Sequence, residues 1–385
     1  MTKEQILFTA AAGFEAACRV DLLPEGHRSR GLHGHGYLAD VRCALPAGWA
    51  SFPGGEVEEL RARLAAVLEP LDYSELNREI EQPTDENIAR WVRSRIAAAV
   101  VENAAVKNTG IENARIENAR IKNVGVQSTR DEGADLDQKE HAHIWRRYTF
   151  ESAHRLPNVR TEHKCGRMHG HGFEVILHAD MDLGRRAIGI DYDRIDALWA
   201  PLHEKLDHAC LNDIAGLANP TSELISSWIW ERLKPRLTEL SWVTVYETAS
   251  SGAHYDGHHY RIWKEVTLDS AVQLKRAPVG DRRRRVHGHT YTLRLHLHAP
   301  LDRVMGWTMD FGDVKDLFTP VFMRLDHQPL HQLADAEDND ALSLARWIRA
   351  QTESCLPQLD RIDLYETRGC GVILSWGEDG PALPV

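Results

Sequence analysis

Tyr148-Thr149-Phe150-Glu151-Ser152-Ala153-His154 is followed closely by Cys165-Gly166-Arg167-Met168-His169-Gly170-His171 and an apolar, strand-like tail to Leu177. His169 and His171 are two positions apart, so on a β-strand they project from one face. His154 ends an alternating run that suits the preceding antiparallel strand. Three neutral imidazoles with no fourth protein ligand in the pattern are the donor set of a catalytic zinc, whose open position takes water or substrate. Cys165 lies four residues before His169, close enough to face the same pocket.

The stretch is one of three copies. His33-Gly34-His35 and His287-Gly288-His289 repeat the motif, each followed by an alternating strand, and Ile144-Trp145 and Ile262-Trp263 stand in the same register before their copies. Such long-period self-similarity signals tandem modules. Downstream come Leu71-Asp72-Tyr73, Leu206-Asp207-His208 and Leu325-Asp326-His327, the second after an amphipathic helix with Ile195, Leu198, Leu202 and Leu206 on one face. A further helix starts at Pro83-Thr84-Asp85-Glu86 and at Pro220-Thr221-Ser222-Glu223, with Thr as N-cap. Strands such as Val243–Thr248 and Ile362–Thr367 close the unit.

Each module therefore reads strand, strand, helix, helix, strand, strand, an antiparallel α+β unit. The boundaries are 1–135, 142–257 and 258–385. Module one is longer between Asp72 and Ser128, where Ile111-Glu112-Asn113-Ala114-Arg115 is nearly duplicated, and this extra length reads as a surface extension. The polar stretch 130–139 reads as the linker to module two.

Bulk properties exclude other classes. With 27% charged residues and a net charge of −11, non-specific nucleic-acid binding is disfavoured. No apolar run reaches the roughly 18 residues of a membrane span, and the N-terminal residues carry no signal-peptide pattern. Six scattered cysteines without a CxxC pair suit a reducing cytoplasm.

The copies differ where chemistry would lie. Module one has Cys18 for His154, Ser29 for Cys165, Tyr73 for His208 and Ser128 for Glu247; module three has Val272 for His154 and Arg283 for Cys165, but keeps Asp326, His327 and Glu366. Only module two holds the whole set. Cys18 could still complete a Cys-His-His zinc site, since thiolate is a good zinc ligand; Val272 cannot ligate.

Through Phe150 to Pro157, Lys164 to His171, Leu206-Asp207-His208, Leu211-Asn212-Asp213, Asn219 to Glu223 and Glu247-Thr248, module two resembles the 6-carboxy-5,6,7,8-tetrahydropterin synthases of the 6-pyruvoyl-tetrahydropterin synthase family. The resemblance implies a tunnelling fold, in which modules trimerise into an antiparallel barrel with helices outside. The three modules would then form one pseudo-trimeric ring without free sheet edges, and a homodimer of such rings is the implied assembly. It also implies Zn2+ on His154, His169 and His171, and Cys165 as general base. Asp207-His208 or the dyad donated by module three, Asp326-His327, would relay protons. Glu247 with Thr248, and Glu366 in module three, would anchor a pterin.

The implied reaction turns 7,8-dihydroneopterin triphosphate into 6-carboxytetrahydropterin, acetaldehyde and triphosphate, towards queuosine or another deazapurine. A 6-pyruvoyl-type lyase and a non-catalytic pterin-binding scaffold are the alternatives. A zinc hydrolase would leave Cys165 and Glu247 without a role. The run Arg282 to Arg285 is a candidate for triphosphate contact across a module boundary.

Overall fold

The computed structural model describes residues 4–106, 120–333, 335–336 and 338–377. Module one contributes β1 (Gln5–Cys18), β2 (His33–Ala44), α1 (Glu56–Leu68), β3 (Ser74–Glu75), α2 (Asp85–Val106), β4 (Arg120–Thr129) and β5 (Glu132–Asp137). Module two contributes β6 (His141–His154), β7 (His169–Asp182), α3 (Tyr192–Leu206), β8 (Ala209–Cys210), α4 (Ser222–Leu233), β9 (Leu240–Thr248) and β10 (Ser251–Tyr255). Module three contributes β11 (Tyr260–Val272), β12 (His287–His298), α5 (Phe311–Phe322), α6 (Ala341–Thr352), β13 (Leu359–Thr367) and β14 (Cys370–Ser375).

Twelve of these strands close into one antiparallel barrel in the order β14-β13-β12-β11-β10-β9-β7-β6-β5-β4-β2-β1, with β1 pairing back to β14. The modules join through β5 with β6, β10 with β11 and β14 with β1. Closure leaves the ring no unpaired edge, so three modules suffice.

Two sequence expectations change. The stretch 130–139 is not a free linker: β5 lies within it and hydrogen-bonds to both β4 and β6. Only its second half alternates at period two, Ala134 and Leu136 against Asp135 and Asp137, and the boundary at 135 falls inside this strand. The extra length of module one begins in α2, which has 22 residues against 12 in α4. The near-duplicated residues up to 119 lie outside the described residues, while Ile121-Lys122-Asn123 belongs to β4.

Strand parity sorts the two faces of the barrel. On β7, Phe173, Val175, Leu177 and Ala179 join the main core, packed with the helices through residues such as Ile195 and Leu202 of α3. Ile176 and His178 face the other way, into the ring. That interior is unusually polar. His178 shares Thr244 with His254, and Arg361 pairs with Asp363, which also meets His296.

Gly133, Gly252 and Gly371 occupy equivalent positions at bulges between the last two strands of each module. A Cβ at Gly252 would lie 2.1 Å from the Val245 carbonyl oxygen and 2.3 Å from the Trp263 ring. Gly252→Ala is expected to destabilise the chain by about 1–3 kcal/mol, as overpacking does, and denaturant titration measures it.

Candidate active site

The register fixes the site. His154 pairs with His169 and Ser152 with His171, so the three imidazoles share the helix-facing side of the β6–β7 hairpin at its end. Their ring centroids lie 4.5–5.2 Å apart. His154 is fully buried, and its Nδ1 is 2.9 Å from the Pro220 carbonyl; His169 Nδ1 is 2.8 Å from the Arg167 carbonyl. Each carbonyl accepts the Nδ1 proton, which leaves Nε2 as a lone-pair donor, the orientation metal ligation requires.

The Nε2 atoms of His154 and His171 are buried without a hydrogen bond. Such orphaned nitrogens fit a metal. Burial holds both rings below the ordinary imidazole range, and the neighbouring imidazoles add to this against the pull of Glu247. A neutral imidazole is the ligating form.

Glu247 is closer than the sequence suggested. Its Oε1 lies 3.5 Å from His171 Nε2 and 4.0 Å from His154 Nε2, while Oε2 accepts from Ser222 Oγ at 2.8 Å. A fourth protein donor therefore reaches the three imidazoles. Thr248 sits at the β9–β10 turn, where its hydroxyl meets Ser251 Oγ at 2.7 Å.

Cys165 is half-buried on a short 3-10 turn, Lys164–Gly166, whose first N–H groups are tied back by His163. Burial, then the carboxylates of Glu247 and Asp310, push its thiol up, against Lys164. Asp310 belongs to module three. So do Gly306, whose carbonyl accepts from Thr221, and Thr308, whose N–H donates to Glu223 at 2.8 Å. The second wall of the crevice is thus module three.

The dyads sit on exposed turns, and His208 lines a 580 Å³ cavity that His171 also borders. Asp207 accepts from the Glu151 N–H at 2.9 Å and meets His208 Nδ1 at 2.8 Å; Asp326 does the same with the Asp269 N–H at 3.0 Å and His327 Nδ1 at 2.8 Å. His208 and His327 are 79% and 77% exposed on left-handed turns with φ of 54° and 55°. Among the described residues, no hydrogen bond or ion pair joins either dyad to Cys165. The arginine run is elsewhere: Arg282 and Arg283 pair with Glu58 of α1 and line a 480 Å³ cavity with His287, His289 and Glu366. Burial pushes Glu366 up to about 7 there.

Sequence reasoning missed three features. Burial, then the charges of Lys315 and Lys164, depress Lys264, so the three ammonium groups lie near one another. Asp85 occupies the place of Ser222 and accepts from Ser128 Oγ at 3.0 Å, so module one keeps a serine–carboxylate pair with the partners exchanged. The paired substitutions at 85 and 128 carried that signal. The third is Glu223, only 2% exposed.

Burial pushes Glu223 up to about 7 despite its bonds to Thr308. A carboxyl raised on folding contributes stability below its unfolded value near 4.3 and loses it as pH rises through about 7. Glu223→Gln should therefore gain up to about 3 kcal/mol at pH 8 relative to pH 5. Parallel melts at the two pH values test this; equal shifts at both would reject it.

The profile of the 6-pyruvoyl tetrahydropterin synthase family matches residues 8–128, 143–258 and 261–376. The chain is similar to the 6-carboxy-5,6,7,8-tetrahydropterin synthase of Synechocystis, 37% identical over 119 residues, covering 29% of this chain and 91% of that protein. It is also similar to the dihydroneopterin monophosphate aldolase of Pyrococcus furiosus, 31% identical over 94 residues, covering 24% and 79%. Among solved structures, 6-pyruvoyl tetrahydropterin synthase of Caenorhabditis elegans aligns at 21% identity and a TM-score of 0.27, over 28% of this chain and 90% of that one. Among the described residues, no helix is long and apolar enough to cross a membrane.

Proposed function

The chain belongs to the 6-pyruvoyl tetrahydropterin synthase family, in three tandem copies, and from that premise we propose that module two converts 7,8-dihydroneopterin triphosphate, with water, to 6-carboxytetrahydropterin, acetaldehyde and triphosphate. The observation that carries this reading is the convergence of His154, His169, His171, Glu247 and Cys165 in one crevice, with two imidazole nitrogens buried and unpaired. Zinc on the three imidazoles would polarise the substrate's side-chain oxygens. Glu247, held by Ser222, accepts the ring N–H donors of the pterin beside Thr248. Cys165 removes the side-chain proton. Lys164, Lys264 and Lys315 receive the triphosphate. Glu366 gives module three a pterin-anchoring carboxylate without a third imidazole. We divide the chain at the β5–β6 and β10–β11 turns and assign it, with its free cysteines, to the cytoplasm and to deazapurine synthesis.

We assign the proton relay to a second copy of the chain. Tyr73, His208 and His327 are 87%, 79% and 77% exposed, and Leu32, Met168 and Val286 are exposed at equivalent places just before the three His-x-His pairs. All lie at one end of the barrel, which suits two stacked rings with a dyad from one reaching the thiol of the other. Complementation tests this: Cys165→Ala protein mixed with His208→Ala/His327→Ala protein, each inactive alone, should regain acetaldehyde release. A mixture that stays inactive rejects the shared site. Wild-type zinc-loaded protein that releases no acetaldehyde from dihydroneopterin triphosphate rejects the reaction.

A further inference from the structure

We propose that module one holds a second metal ion of the zinc class on Cys18, His33 and His35, a ligand set distinct from that of module two. Cys18 pairs with His33 in the β1–β2 ladder, and His35 projects from the same face. The three ligand atoms lie within 4.8 Å of one another. Cys18 Sγ is 3.6 Å from His33 Nε2. Tetrahedral zinc with bonds of about 2.3 Å to sulfur and about 2.1 Å to nitrogen separates those two atoms by about 3.6 Å.

The surroundings orient the donors. His33 Nδ1 is 2.8 Å from the Gly31 carbonyl, which takes its proton and leaves Nε2 facing the thiol. The Tyr37 hydroxyl lies 3.1 Å from Sγ and can donate to a thiolate. Cys18 is 2% exposed, so metal binding there expels its S–H proton to solvent as the metal–sulfur bond forms.

Packing alone does not explain this constellation. Module three fills the equivalent position with Val272, 1% exposed, beside the same pair of imidazoles, and there the Tyr291 hydroxyl is buried without a partner. A valine therefore satisfies the core. Module one instead keeps a donor that faces its two imidazoles and has a hydroxyl aimed at it. The nearby Asp85 carboxylate accepts from Ser128 and from Tyr192 of module two, at 3.0 and 2.9 Å, so module one has Ser128 rather than a carboxylate where module two carries Glu247.

Cobalt reports the sulfur ligand directly. In full-length Cys165→Ala protein loaded with Co2+, a near-ultraviolet thiolate-to-cobalt charge-transfer band is expected, lost in Cys18→Val and kept in His154→Ala. Zinc content should fall from two per chain to one in Cys18→Val, a substitution that copies module three and keeps the fold, as a melting curve checks. A folded Cys18→Val protein with unchanged zinc content, or a cobalt spectrum without the band, overturns the proposal. Protein with Cys165 intact that releases no acetaldehyde, while the Cys18-dependent band is present in its Cys165→Ala counterpart, would instead count against the reading of module two alone.

Discussion

Cys165→Ala is expected to lower turnover by about 10²–10⁴-fold, the range of a positioned acid–base group, with the metal content of the protein unchanged. The thiol belongs to the turn Lys164–Gly166 and is outside the group of donors formed by His154, His169, His171 and Glu247. Its removal leaves the β6–β7 pairing untouched, and alanine fills a half-buried position without exposing a polar partner. Initial rates of acetaldehyde formation, with metal content measured on both proteins, decide the matter. Turnover within tenfold of wild type would remove Cys165 from the chemistry.

Arg361→Met should cost about 3–5 kcal/mol, the range for stripping the partner from a buried charge. Asp363 is 1% exposed and is held by Arg361 at 2.7 and 2.8 Å, with His296 at 3.2 Å. Arg361 and His296 keep its carboxyl far below the usual range even though burial opposes them. A depressed carboxyl gives stability above its unfolded value that is lost as pH falls, so the cost of the substitution should shrink in acid. Arg361→Met/Asp363→Leu should recover much of the loss, since well-packed apolar residues can replace a buried pair. Denaturant midpoints at constant slope measure both proteins. A single variant within about 1 kcal/mol of wild type would mean that His296, whose ring burial drops to about 4, takes up the proton and compensates.

The sequence alone determined the repeat, the strand and helix types and the three imidazoles. These follow from local rules: His169 and His171 at period two, Ile195 to Leu206 at helical period, and Thr221 at an N-cap whose hydroxyl accepts from the Leu224 N–H. The tertiary structure decided everything that depends on closure. It turned the acids around 132–137 into a barrel strand, because β6 offered them a partner. It set module three, through Asp310 and Thr308, as the other wall of the crevice. It also left His208 and His327 facing outward. Periodicity along one chain fixes which side a residue faces. Which neighbour meets that side is set only when the ring shuts, by pairings far apart in sequence such as β1 with β14.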